Sequence, residues 1–170
     1  YRQLFNLFPQ SDDLPEVEFI PADEVPEPYH SLLVHEHHMT VTVEAHHHCR
    51  VDVRILRWVL QGDSYARKIL LTSQSTGEVV QFGIVRIWLP YCSEEVQRRI
   101  LEGKTPLGRI LIENGVMRRI EPTAFLRVLP GPALESWFGA KGRQPAYGRL
   151  AYIHCNDQPA IELMEVVVPE

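Results

Sequence analysis

The sequence predicts an α+β domain: a mostly antiparallel sheet of about six strands with a few short helices laid against it. Three observations lead there. Period-two apolar runs recur with short turns between them, and two segments in the middle of the chain carry paired helix start and stop signals. The 170 residues, 45% hydrophobic and 23% charged, suit one globular domain spanning 1–170. A chain of this length buries about two thirds of the surface its unfolded form exposes, so it needs no disulfide or metal staple.

The first 30 residues hold five of the 13 prolines: Pro9, Pro15, Pro21, Pro26 and Pro28. Proline fixes φ and lacks the amide hydrogen, which predicts an extended arm over 1–30 with short helical turns at Leu4 to Phe8 and Tyr29 to His35. Leu4, Phe5, Leu7, Phe8 and Phe19 predict that the arm packs on the body. Met39, Val41 and Val43 then alternate with Thr40, Thr42 and Glu44, the pattern of a half-buried strand. Val51, Val53 and Ile55 alternate with Arg50, Asp52 and Arg54 in a second run that ends at the turn Gln61-Gly62-Asp63. Arg67 to Thr72 and Val79 to Leu89 form two more, joined across Ser75 to Glu78 by a hairpin loop.

Ser93, Glu94 and Glu95 supply an N-cap and an acidic first turn, Val96 and Ile100 an i, i+4 apolar face, and Gly103 a stop, so a short helix is expected here. Thr105 as a cap and Pro106 at the first helical position predict a second helix over Leu107 to Glu113, ended by Asn114-Gly115. After a Pro- and Gly-rich stretch from Pro130 to Pro145, Ala146 to Cys155 and Ala160 to Val168 read as the last two strands, turning at Asn156-Asp157-Gln158.

The 17 Lys and Arg against 22 Asp and Glu leave a charge of −5, which argues against nucleic acid or an anionic membrane as partner. An anionic ligand must then be held locally, by a few placed arginines. Cys49, Cys92 and Cys155 are odd in number and lack CxxC spacing, as expected of free thiols in a reducing cytoplasm. No apolar stretch reaches the roughly 18 residues of a membrane helix, and Tyr1 to Asp13 lacks the plan of a signal peptide. A soluble, cytoplasmic protein is expected.

His35, His37, His38 and the run His46-His47-His48-Cys49 hold metal-ligand chemistry, and on a strand His46 and His48 would share a face. No HExxH spacing is present, so no metal site or other cofactor is assigned. Arg67 and Arg86 are more informative. Each sits in an otherwise apolar strand run, where a guanidinium either emerges at an open face or is buried against an anion. In Lys104-Thr105-Pro106-Leu107-Gly108-Arg109 a helix start offers free amides, and Gly108 would let a ligand approach the backbone closely. Glu162 and Glu165 lie on opposite faces of the final strand, which predicts that one of them is internal.

Together these residues resemble the chorismate-pyruvate lyase family. Gly103 to Arg109 is similar to the family's GKTPLGR segment. Tyr65 to Leu71 resembles its arginine-bearing strand, Gly83 to Pro90 the strand with a second arginine, and Glu165 to Pro169 its glutamate-bearing ending. Leu32 to His35 through Met39 to Glu44 resembles the archaeal-like and bacterial branch of the superfamily. The likeness implies a six-stranded antiparallel sheet whose helical flaps cover an internal ligand cavity. It also implies cofactor-free elimination of pyruvate from chorismate to give 4-hydroxybenzoate. By the same likeness Arg67 and the Leu107 amide would bind the ring carboxylate, with Gly108, Met39 and Thr40 also at the ligand. Arg86 would hold the enolpyruvyl carboxylate, and Glu165 would meet the 4-hydroxyl end as base or orienting group.

A second use of the same fold stands beside this one. The effector-binding domains of some bacterial transcription regulators share it, which implies a sensor of aromatic acids instead of an enzyme. Such a regulator normally carries a DNA-binding winged helix ahead of the sensor, and an arm of about 30 residues would be too short for one, so catalysis is the expected use.

Overall fold

The computed structural model describes residues 1–8 and 14–169. Pro9 to Asp13 and Glu170 lie outside the described residues. A seven-stranded antiparallel sheet in the order β1-β5-β6-β7-β4-β3-β2 forms the body. Its strands are β1 (Glu16–Ile20), β2 (Val51–Gln61), β3 (Ser64–Ser73), β4 (Val79–Trp88), β5 (Arg118–Leu129), β6 (Ala146–Cys155) and β7 (Gln158–Val167). Short helices cover both faces: α1 (Arg2–Asn6), α2 (Tyr29–Leu33), α3 (Met39–His47), α4 (Glu94–Glu102), α5 (Leu107–Glu113) and α6 (Pro132–Phe138).

Local chemistry explains most of these boundaries. The β6–β7 turn has Asn156 and Asp157 at φ 49° and 64°, the left-handed pair that a two-residue hairpin needs to match strand twist. The Ser93 side chain caps α4 by accepting from the Val96 amide, and Gly103 ends it at φ 68°. α5 spans the expected residues, but Pro106 itself takes the N-cap position and no side chain caps the helix, so Thr105 does not have the expected role.

Three sequence expectations are corrected. Met39 to Glu44 is not a strand but the start of α3. Its buried residues, Met39, Thr40 and Val43, follow helical spacing, while Val41 stays 47% exposed. Met39 and Val43 fit both a period of two and an i, i+4 spacing, so the period is ambiguous, and packing against α2 and the sheet overrides the β-branched propensity. Two strands, β1 and β5, were not expected. Pro122 argues against a central strand, yet β5 accommodates it where the register with β6 shifts between Pro122 and Ala124. The sheet therefore has seven strands, five at expected places.

Alternation then sorts the sheet into two sides. Leu70, Phe82, Ile84, Met164 and Val166 face a core closed by α6 and by Leu4, Phe5 and Phe8 of the arm, which packs on the body as expected. The opposite face carries Tyr65, Ile69, Leu71, Val85, Ile87, Leu163 and Val167 under the helices from α2 to α5. The candidate site lies within this second layer.

Candidate functional site

A small cavity of about 60 Å³ lies between the sheet and the α3–α5 helices. Its floor is set by cross-strand register: Arg67 of β3 pairs with Val85 of β4, which pairs with Leu163 of β7, and Gly83 of β4 pairs with Glu165 of β7. Because side chains alternate between faces, Arg67, Ile69, Leu71, Gln81, Val85, Leu163 and Glu165 all point to this side, with the bare backbone of Gly83 among them. The roof comes from His38, Met39 and Thr40 at the start of α3 and Pro106, Leu107 and Gly108 at the start of α5. Six sequence-predicted site residues, Met39, Thr40, Arg67, Leu107, Gly108 and Glu165, therefore meet around one cavity.

Arg67 is 1% exposed. One terminal nitrogen donates to the Ile100 carbonyl at 3.4 Å, its Nε has no partner, and among the described residues it has no carboxylate partner. Burial pushes its guanidinium pKa down, opposed by the adjacent Tyr65 hydroxyl. A guanidinium remains charged even so, and an uncompensated buried charge costs several kcal/mol until an anion reaches it.

Glu165 sits across the cavity in a different setting. Its carboxylate accepts from Arg149 Nε at 2.9 Å, and its side chain is 13% exposed. Burial pushes the Glu165 carboxyl up, while Arg149 and a hydrogen bond from Gln81 pull it back toward the ionised form. Arg149, 1% exposed, also donates to the carbonyls of His35 at 2.8 Å, His37 at 3.0 Å and Leu33 at 3.3 Å. One buried guanidinium thus holds both the cavity carboxylate and the segment leading into α3. Sequence reasoning missed Arg149, although it shows the same signal as Arg67: an arginine inside an apolar strand run, here Ala146 to Ile153.

Arg86 is corrected. It follows Ile84 on the opposite face of β4, pairs with Glu162 across to β7, and its guanidinium lies 4.5 Å from the Trp88 ring centroid. It does not line the cavity. The expectation that one of the two β7 glutamates is internal holds for Glu165, while Glu162 serves Arg86.

Gly108, which lines the cavity, also has a packing use. A Cβ there would stand 3.0 Å from both His38 Cβ and Thr40 Oγ1, so the bare backbone seats α5 on the start of α3. Arg109 ties the same helices together through an ion pair to Glu44. His46 and His47 fill the last turn of α3, and His48 takes the left-handed cap at φ 51°, so His46 and His48 do not share a strand face. Among the described residues no group of three or more His, Cys, Asp or Glu is placed to hold a metal ion. Cys49, Cys92 and Cys155 are free thiols. No helix is long and apolar enough to cross a membrane among the described residues.

The cavity is chemically polarised: apolar walls from Met39, Val53, Ile69, Leu71, Leu107 and Leu163, a cation at one end and a hydrogen-bonded carboxylate at the other. Its volume is well below the roughly 300–1,000 Å³ of drug-sized ligand pockets, so the α3 and α5 roof must give way to admit a ring.

No family model matches the chain, and neither does any curated protein. Among solved structures it is similar to PhnF from Mycobacterium smegmatis, with a TM-score of 0.53 and 14% identity over 77% of this chain and 63% of that one. It is equally similar to the effector domain of PhnF, with a TM-score of 0.53 and 15% identity over 78% of this chain and 88% of that domain. This chain thus spans less than two thirds of the PhnF chain and most of the effector domain. At such identities the shared property is the fold, an α+β antiparallel sheet with short helices laid against it.

Proposed function

We propose that this domain binds a small aromatic acid in the cavity beneath α3 and α5, as a ligand-sensing module. The observation that carries the reading is Arg67: a buried guanidinium lining an apolar cavity, with no carboxylate partner among the described residues. A ligand carboxylate supplies that partner through charge-assisted, planar donors. Arg67 and Glu165 stand two strands and one residue pair apart, a Cα separation of about 12 Å by sheet geometry. A benzene ring with a carboxylate at one end and a hydroxyl at the other fits between two such side chains, the hydroxyl donating to Glu165. The likeness to an effector domain supports sensing as the use of this binding.

A second reading is catalysis, as a cofactor-free chorismate lyase in the cytoplasm, with chorismate as substrate and 4-hydroxybenzoate as product. The convergence of Met39, Thr40, Arg67, Leu107, Gly108 and Glu165 on one cavity favours it. Arg86 weighs against it. The enolpyruvyl group leaves as ether oxygen departs from carbon 3 while carbon 4 loses a proton, and the leaving carboxylate needs its own cation. Arg86 faces the other layer, and Arg149 is already paired with Glu165 and bonded to three carbonyls, using four of its five donors. One uncompensated cation suits a monoanion better than a dianion.

Calorimetric titration with 4-hydroxybenzoate and chromatography after incubation with chorismate decide between the two. Saturable binding of 4-hydroxybenzoate without turnover is expected. Release of 4-hydroxybenzoate and pyruvate in equal amounts would establish the lyase instead, and no binding by either compound would remove both readings.

A further inference from the structure

On the outer side of the roof lies a second, open basin of about 550 Å³, walled by His37, His38, Val41, Ile112, Arg118 and Arg119, with Glu36 at its rim. His38 lines this basin and the inner cavity alike. It is 7% exposed, and its Nε2 accepts from Arg118 Nε at 2.6 Å. His38, bonded to Arg118, is thus the residue shared by a basin large enough for an aromatic acid and a cavity too small to admit one unopened.

We propose that the basin is the entrance through which an anionic ligand reaches the inner cavity, and that the Arg118–His38 hydrogen bond is its latch. The inference rests on the anion-binding reading of the inner site. Arg118 serves two steps. Its charge draws a carboxylate into the basin, and a carboxylate bound side-on across Nε and a terminal nitrogen takes the Nε donor away from His38, so arrival of the ligand loosens the latch. Arg119 is occupied by Glu121 at 3.0 Å, which leaves Arg118 as the basin cation directed at the gate.

The gate can open at low cost. Burial and the nearby Arg118, Arg149 and His37 hold His38 in its neutral form, pushed down to about 4. A neutral ring swings away without stranding a buried charge. The segment behind it is anchored separately, because the His35 and His37 carbonyls accept from Arg149. Rotation of His38 therefore does not require the whole roof to unfold.

An entrance is diagnosed by rates and not by affinity, since plugging or opening a path changes association and dissociation by the same factor. Surface plasmon resonance with 4-hydroxybenzoate on the full chain reads both. Val41→Trp places bulk in the basin from an exposed position of α3, and should slow both rates by about tenfold with Kd within about threefold of the parent. Arg118→Ala removes the latch and should raise the dissociation rate by about tenfold. Ser136→Trp, in a groove beside α6, should alter neither.

Wild-type binding with both rates unchanged in Val41→Trp would place the entrance elsewhere and overturn the inference alone. A slower association with unchanged dissociation in Arg118→Ala would reduce Arg118 to attraction and overturn the latch. Absence of any wild-type binding would overturn the anion-binding reading, and this inference with it.

Discussion

Arg67 and Arg86 began as equivalent anomalies, each an arginine in an apolar strand, and one residue of strand parity separates their fates. Arg67 follows Tyr65 and precedes Ile69 on the cavity face, whereas Arg86 follows Ile84 on the other. Arg67→Ala should therefore weaken 4-hydroxybenzoate binding by roughly tenfold to a hundredfold, the worth of a charge-assisted hydrogen bond. Arg86→Ala should leave affinity unchanged while costing stability through unpaired Glu162. Titration calorimetry on the two variants checks this, and an affinity loss in Arg86→Ala would return it to the site.

His38 gives the residue scale its pH dependence. Its folded-state pKa, about 4, lies below the ordinary 6.5 because burial and Arg118 disfavour the imidazolium. The stability it contributes is complete above 6.5 and is lost as pH falls toward 4, up to roughly 3 kcal/mol. Glu165 runs the other way: burial raises its carboxyl, so its contribution is greatest below 4.5 and declines as pH rises through the folded value. Comparing His38→Gln with the parent isolates the first effect. Urea unfolding across this range should show a shallower acid loss in the variant, and equal slopes would refute the assignment.

At the scale of elements, the roof depends on how closely α5 sits on α3. An alanine at position 108 gains about 1 kcal/mol of helix propensity, while crowding of His38 and Thr40 at 3.0 Å costs about 1–3 kcal/mol. Crowding wins when those atoms belong to a packed helix start instead of a flexible tip. Gly108→Ala should thus lose about 1 kcal/mol and speed amide hydrogen exchange across Met39–His47, measured by mass spectrometry. A more stable variant with unchanged exchange would mean that the helices do not meet as tightly as described. The alternation of Met39, Val41 and Val43 is a local signal that a strand would share, but burial of Met39 and Val43 on one helical face comes from α2 and the sheet, through Leu33, Val51, Ile69 and Leu71.

For the molecule as a whole, the sheet separates a ligand layer from a supporting layer. Phe5 is 6% exposed against Phe82, with Lys68 over its ring at 5.2 Å, all on the side away from the cavity. Phe5→Ala should cost about 3–5 kcal/mol of stability and leave the affinity of the remaining folded protein for 4-hydroxybenzoate unchanged. Thermal unfolding paired with calorimetry tests the separation. An affinity loss at temperatures where the variant is fully folded would show that the layers are coupled.

The sequence by itself determined the fold class, five of the seven strands, α4 and α5, the packed arm and the residues of the cavity that carry unusual chemistry for their surroundings. Turn residues, caps and period-two runs are local signals, and a charged residue in an apolar run is visible without coordinates. Only the tertiary structure decided that Met39 to His47 is a helix, that β5 carries Pro122 through a register shift, and that Arg86 serves the wrong face for the site. It also paired Arg149 with Glu165 and set His38 between two cavities. Those outcomes depend on which segments meet across the sheet, through packing, register and burial, and such long-range choices leave no periodicity in the chain that makes them.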